Sequence, residues 1–162
     1  MLQNLVCHFA FIAALGAGLI AGAFFAFSNF VMRALGRLPA PHGIAAMQSI
    51  DIVVINPVFL GVFMGTAGVG ALLAVLACLS WTTPGSAYLL AAGALYIVGT
   101  FLVTMIRNVP LNNELAAVAP DSSEGAALWT RYLSDWVFWN HVRTVAALLS
   151  CGGYILAISS LV

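Results

Sequence analysis

Four long apolar stretches, separated by short polar or proline-bearing breaks, leave this chain few ways to fold. They run from about Leu5 to Leu35, from Pro57 to Ser80, from Ala87 to Arg107, and from near Asp135 to the C-terminus. Each exceeds the ~20 residues that a helix needs to cross a bilayer. Inside lipid every backbone polar group must be satisfied within the segment, which favours helices over any open sheet. Composition agrees: 63% of the 162 residues are hydrophobic, only 6% are charged, and the mean hydropathy is +1.08. A soluble domain carries roughly a quarter charged residues. The expected fold is all-α, an integral membrane antiparallel four-helix bundle. Residues 1–162 should form a single four-helix transmembrane domain, with short interfacial helices in the first and third connections.

The breaks are legible in some detail. Pro39, Pro41 and Gly43 interrupt the first connection, and Ile44 to Ile55 then reads as a short amphipathic helix carrying Gln48 and Asp51. Asn56-Pro57 restarts the chain, with Asn56 as N-cap and Pro57 at the first helical position. The second connection, Trp81 to Ser86, is short and uncharged, so it joins antiparallel neighbours. Pro110 either ends the third segment or begins another short helix across Leu111 to Val118. Asp121-Ser-Ser-Glu124 resembles a capping box for a helix that starts near Ala126. Small residues recur at Ala14, Gly18, Gly22 and Ala26, and again at Gly61, Gly65 and Gly68, as seams for close helix approach. Those seams also allow a homo-oligomer.

Charge sets the orientation. There are five Arg, five acidic residues and no Lys, a balance that points to no nucleic-acid partner. Arg33, Arg37, Arg107, Arg131 and Arg143 all lie in or beside the first and third connections. The positive-inside rule therefore puts both termini outside and those two connections in the cytoplasm, in a bacterial inner membrane. The run from Met1 to Ala26 lacks a basic leading region and reads as a retained first membrane helix.

That topology brings polar residues from four segments to one level. Ser28, Asn29 and Arg33 come from the first; Asp51 and Asn56 precede the second; Thr104, Arg107 and Asn108 come from the third, with Tyr96, Thr100, Thr104 and Asn108 spaced by four. Gln48 and Asn112 lie close enough to cover the same pocket. The fourth segment contributes Trp136 to Arg143, W-V-F-W-N-H-V-R. On a helix Trp136, Asn140 and Arg143 share one face, Trp139 sits beside it, and His141 lies about 100° round from Asn140. Polar and ionisable groups on a membrane helix are costly and by default face a bundle interior or cavity. The bland alternatives are an aromatic belt for Trp136 and Trp139, a snorkelling or ion-paired Arg143, helix-bridging by Asn140, and an interfacial His141.

Four stretches in order, G-A-G-L-I-A-G-A-F-F-A-F-S, A-M-Q-S-I-D-I-V-V-I-N-P-V-F, N-V-P-L-N-N-E-L-A and W-V-F-W-N-H-V-R-T-V-A, resemble the anthrone oxygenase-like family of small membrane proteins, also termed DUF1772. The resemblance extends from about Gly16 to Ser150, and the family pattern includes Pro110, Asn112, Asn140 and Arg143. It implies oxidation of a planar aromatic substrate, polyketide- or quinone-like, by molecular oxygen, with no cofactor. For that chemistry the residues themselves offer His141 as a base, by its near-neutral pKa, and Asn140, Asn112 and Arg143 as donors to an enolate oxygen. Trp136 and Trp139 wall a flat slot, with Asn108, Asn56, Gln48, Asp51 and Asn29 around it.

A metal centre is not expected, because His8, His42 and His141 are scattered and no Glu-x-x-His pair occurs. A single axial His leaves haem open, as the apolar interior leaves a bound quinone. Cys7, Cys78 and Cys151 read as small buried hydrophobes. The other class of function is non-catalytic: a bundle that binds a lipid-soluble ligand, or an oligomeric scaffold among membrane lipids.

Overall fold

In the computed structural model, which describes residues 2–161, the described residues form five helices and no strand. They are α1 (Gln3–Leu35), α2 (Ala40–Val53), α3 (Pro57–Leu79), α4 (Ser86–Ala116) and α5 (Ser123–Leu161). All but α2 are long and apolar enough to cross a membrane. They pack in a ring, α1 on α3, α3 on α4, α4 on α5 and α5 back on α1, with α5 making the two most extensive seams, against α1 and α4. The chain is an integral membrane helical bundle.

The bundle is tight at one end and wide at the other, because of side-chain size. Around the Trp81–Ser86 turn the core is Ala10, Ala13, Ala14, Ala77, Ala92 and Ala157 with Leu73, Leu89 and Tyr154. Small side chains let backbones approach. A Cβ built on Gly99 of α4 would lie 2.5 Å from the Ala146 Cβ on α5, and Gly85 turns the chain into α4 at φ +84°. Further along, Ile20, Phe24, Phe63 and Tyr96 form an aromatic layer. Beyond it α2 closes the end, its Ile44 and Met47 packed with Met32, Leu115, Trp129, Tyr132 and Trp136.

Several local expectations are corrected. The α2 helix starts at Ala40, earlier than Ile44, because Pro39 supplies the non-helical cap and Pro41 fits the first turn. Pro110 does not end α4, which continues to Ala116. The preceding turn, Thr104–Asn108, is π-helical, and the Val109 N–H reaches back five residues to the Thr104 carbonyl. Pro110 therefore sits where the backbone ladder is already shifted, and its missing N–H interrupts no ordinary turn. The cap of α5 is Ser122 rather than Asp121: its Oγ accepts from Gly125 N at 2.9 Å. Gly22, Gly61, Gly65 and Gly68 face outward with nothing near them, so the close approaches fall elsewhere.

Candidate functional site

Where the helices diverge, a cavity of about 380 Å³ lies between α1, α3, α4 and α5, with α2 across its end. That is ligand-sized. Its walls are chiefly apolar, including Phe24, Phe27, Phe59, Phe63, Met47 and Trp136, and its only charged lining groups are Asp51 and Arg143. Two π-helical turns border it: Phe27–Val31 in α1 and Thr104–Asn108 in α4. Such turns widen a helix and recur at functional sites. Here they present Phe27, Thr104 and Met105 to the cavity.

Arg143 reaches the wall from α5, a helix of 39 residues. At ~1.5 Å per residue Arg143 lies about 27 Å from Leu161, near the limit of a ~30 Å hydrocarbon layer. It is 4% exposed and makes no ion pair; among the described residues the only one is Arg131–Glu114. Its guanidinium donates to Asn140 Oδ1 at 2.6 Å and to Thr104 Oγ1 at 3.2 Å. It also lies 4.1 Å from the Phe24 ring centroid and 5.1 Å from that of Trp136. Cation–π contacts of this kind are worth about 2 kcal/mol when desolvated. The Nε–H has no partner in the protein. Asn140, fully buried, donates to the Phe24 carbonyl and to Ser28 Oγ, both at 2.7 Å. It thus ties α5 to α1 while orienting Arg143.

A second network hangs on Asn112. Its Oδ1 accepts from Tyr132 Oη at 2.8 Å and from Trp136 Nε1 at 2.7 Å, and its Nδ2 donates to Asp51 Oδ1 at 3.0 Å. With two donors on the oxygen, the amide can turn only its N–H groups toward Asp51. The other carboxylate oxygen, Asp51 Oδ2, is buried without a partner. Burial pushes the Asp51 carboxyl up to about 6, and the charge of Arg143 offsets part of that rise.

The residues singled out from the sequence divide into three groups. Asp51, Asn112, Trp136 and Arg143 line the cavity. Asn140, Asn108 and Gln48 brace it: Asn108 donates to the Trp136 carbonyl, and Gln48 to the carbonyls of Leu115 and Val118. The rest lie outside it. His141 is exposed on the outer face of α5, since one residue past Asn140 turns it away from the bundle. It is not the base of this cavity. Trp139 is half-buried beneath Arg107, 4.6 Å from its ring centroid. Asn29 is exposed on α1. Asn56 caps α3, accepting from Val58 and Phe59 N–H, and its amide is turned to the Val53 carbonyl. Sequence reading missed Tyr132, Phe24 and the Phe59–Phe63 pair, which stack 6.0 Å apart. Tyr132 was detectable, because Trp129, Tyr132, Trp136, Asn140 and Arg143 step by three and four along one helix face. Among the described residues no three His, Cys, Asp or Glu side chains converge as metal ligands.

This architecture defines a helical membrane protein with a ligand-sized internal cavity, acidic on the α2 side and basic on the α5 side. The chain belongs to the anthrone oxygenase family, whose model matches residues 59–153, more than half its length. The match includes Thr104, Asn112, Trp136, Asn140 and Arg143; Asp51 and Phe24 precede it. No curated protein and no solved structure matches the chain.

Proposed function

We propose that the protein is a membrane-embedded oxidoreductase that oxidises a planar aromatic carbon acid of the anthrone kind with molecular oxygen, using no cofactor. The observation that carries this reading is the pair of opposite charges on one apolar cavity, Asp51 Oδ2 and Arg143 Nε, each without a protein partner. A flat ring bearing an acidic CH₂ and a carbonyl complements that pair, and membership in the anthrone oxygenase family supports the substrate class.

In the reaction Asp51 takes a proton from the ring CH₂, and the electron pair delocalises onto the carbonyl oxygen, where Arg143 stabilises it. The carbanion passes its electrons to O₂ as a C–O bond forms, and the peroxide takes the proton back from Asp51. Loss of the second C–H proton breaks the O–O bond and leaves a new carbonyl and water. The sum is CH₂ + O₂ → C=O + H₂O, with every electron drawn from the substrate. Asn112 holds Asp51 in orientation and Asn140 holds Arg143. The cavity end is assigned to the cytoplasmic side of a bacterial inner membrane, because exposed Arg33, Arg37, Arg107 and Arg131 gather there.

The test is oxygen uptake by membranes supplied with an anthrone. Arg143→Met should lower turnover by about 10²–10³, the usual loss on removing an oxyanion donor. Asp51→Asn should lower it by about 10²–10⁴, as for a general base, and His141→Ala should retain the wild-type rate. Equal rates in all four proteins would overturn the reading. The apolar lining also suits a carrier that holds such a ligand unchanged, which binding without oxygen uptake would identify.

A further inference from the structure

The cavity has few ways to be filled. Toward the Trp81–Ser86 turn it is closed by the Phe24, Phe63 and Tyr96 layer and by the alanine-rich core beyond. Toward the opposite aqueous side it is closed by α2 and the buried cluster of Met47, Trp129, Tyr132 and Trp136, held by the Asn112 bonds. The α1–α5 and α4–α5 walls are the most extensively packed in the molecule. One side differs. The α3 helix packs along Ser86–Leu102 of α4 but makes no comparable contact with Thr104–Ala116. On that side lie the only two lining residues that are exposed, Ile55 at 69% and Met105 at 49%. Both are apolar.

Depth adds to this. Ile55 directly precedes the capped start of α3, and Met105 is nineteen residues from Ser86, about 29 Å along α4 at ~1.5 Å per residue. Both therefore sit at the edge of a ~30 Å hydrocarbon layer. Flat aromatic groups with a polar edge collect at that level, as Trp and Tyr side chains do.

We propose that the cavity is loaded sideways from the membrane interface, through a gap between the start of α3 and the last third of α4, with Ile55 and Met105 as its threshold. The inference rests on the aromatic-ligand reading above and narrows it. The substrate is a membrane-dissolved amphiphilic aromatic presented edge-first from the interface, not a water-borne one.

The test uses full-length protein in phosphatidylcholine–phosphatidylglycerol vesicles, with quenching of tryptophan fluorescence by anthraquinone. The equilibrium dissociation constant is indifferent to the route, so the opening is read from the rate of quenching after anthraquinone is added to the vesicles. Met105→Trp should slow binding roughly tenfold, within the one to three decades that association rates span among variants. Ile106→Trp, at an exposed position outside the lining, should leave the rate unchanged. Anthraquinone-2-sulfonate, which stays in water, should not quench. An unchanged rate in Met105→Trp would overturn the side opening and leave the binding reading standing. Wild-type protein that neither binds anthraquinone nor consumes oxygen with an anthrone would overturn both.

Discussion

Asp51 has the most testable chemistry in the cavity, because it lies on α2, outside the spanning helices, yet is largely buried. A carboxyl raised to about 6 holds both forms at accessible pH, which suits the proton transfer proposed for it. Turnover should therefore rise with pH through a midpoint near 6. In Arg143→Met that midpoint should move higher, since the positive charge that holds the carboxyl down is gone. The linkage to stability has the opposite sense. The folded state binds this proton more tightly than the unfolded chain does, so the contribution is fully present below about pH 4 and lost as pH rises through about 6. Asp51→Asn keeps an acceptor for Asn112 but cannot ionise. Its melting temperature in detergent should exceed that of the wild type at pH 8, and the difference should shrink at pH 4. A constant difference across that range would contradict the buried carboxylate.

The elements are shaped by where backbones touch. Gly99 meets Ala146 across the α4–α5 seam, whereas Gly65 on α3 has open space around it. Gly99→Ala forces a Cβ into a gap of 2.5 Å, and overpacking of this kind costs about 1–3 kcal/mol. Gly65→Ala should be neutral or mildly stabilising, because Ala is the better helix former. Thermal denaturation of the two variants side by side separates a packed seam from an outward one. Glycine spacing alone does not, since both helices carry small residues at regular intervals. The π-helical turns belong to the same scale. They let the Tyr96, Thr100, Thr104 and Asn108 stripe stay turned inward, with Tyr96, Thr100 and Asn108 buried, although four-residue steps drift round an ordinary α-helix.

At the scale of the molecule, small side chains close one end of the bundle and large aromatic ones hold the other apart, so the cavity is a consequence of packing two core types in one bundle. The same asymmetry carries the charge: four exposed Arg lie at the wide end and none near the Trp81–Ser86 turn. With Cys7, Cys78 and Cys151 replaced by Ser, a cysteine at Thr82 should react with a membrane-impermeant maleimide on intact cells. A cysteine at Ala119 should react only after permeabilisation. The reverse pattern would invert the assigned orientation and put the cavity end outside.

Sequence alone determined the membrane setting, the four spans and the polar members of the cavity wall, Asp51, Asn112 and Arg143, because these depend on composition, run length and spacing along one chain. The sharing of a helix face by Trp136, Asn140 and Arg143 follows from the 100° step of the helix and needed no partner. What sequence could not assign was which side of each helix meets another. His141 and Asn140 are adjacent in the chain and both polar, and only the packing of α5 on α1 turns one inward and the other out. The cavity's one carboxyl is likewise that of Asp51, because α2 folds across the bundle's wide end and Asn112 donates to it there. Adjacency in a chain sets which groups share a helix; the contact between helices decides which of them share a cavity.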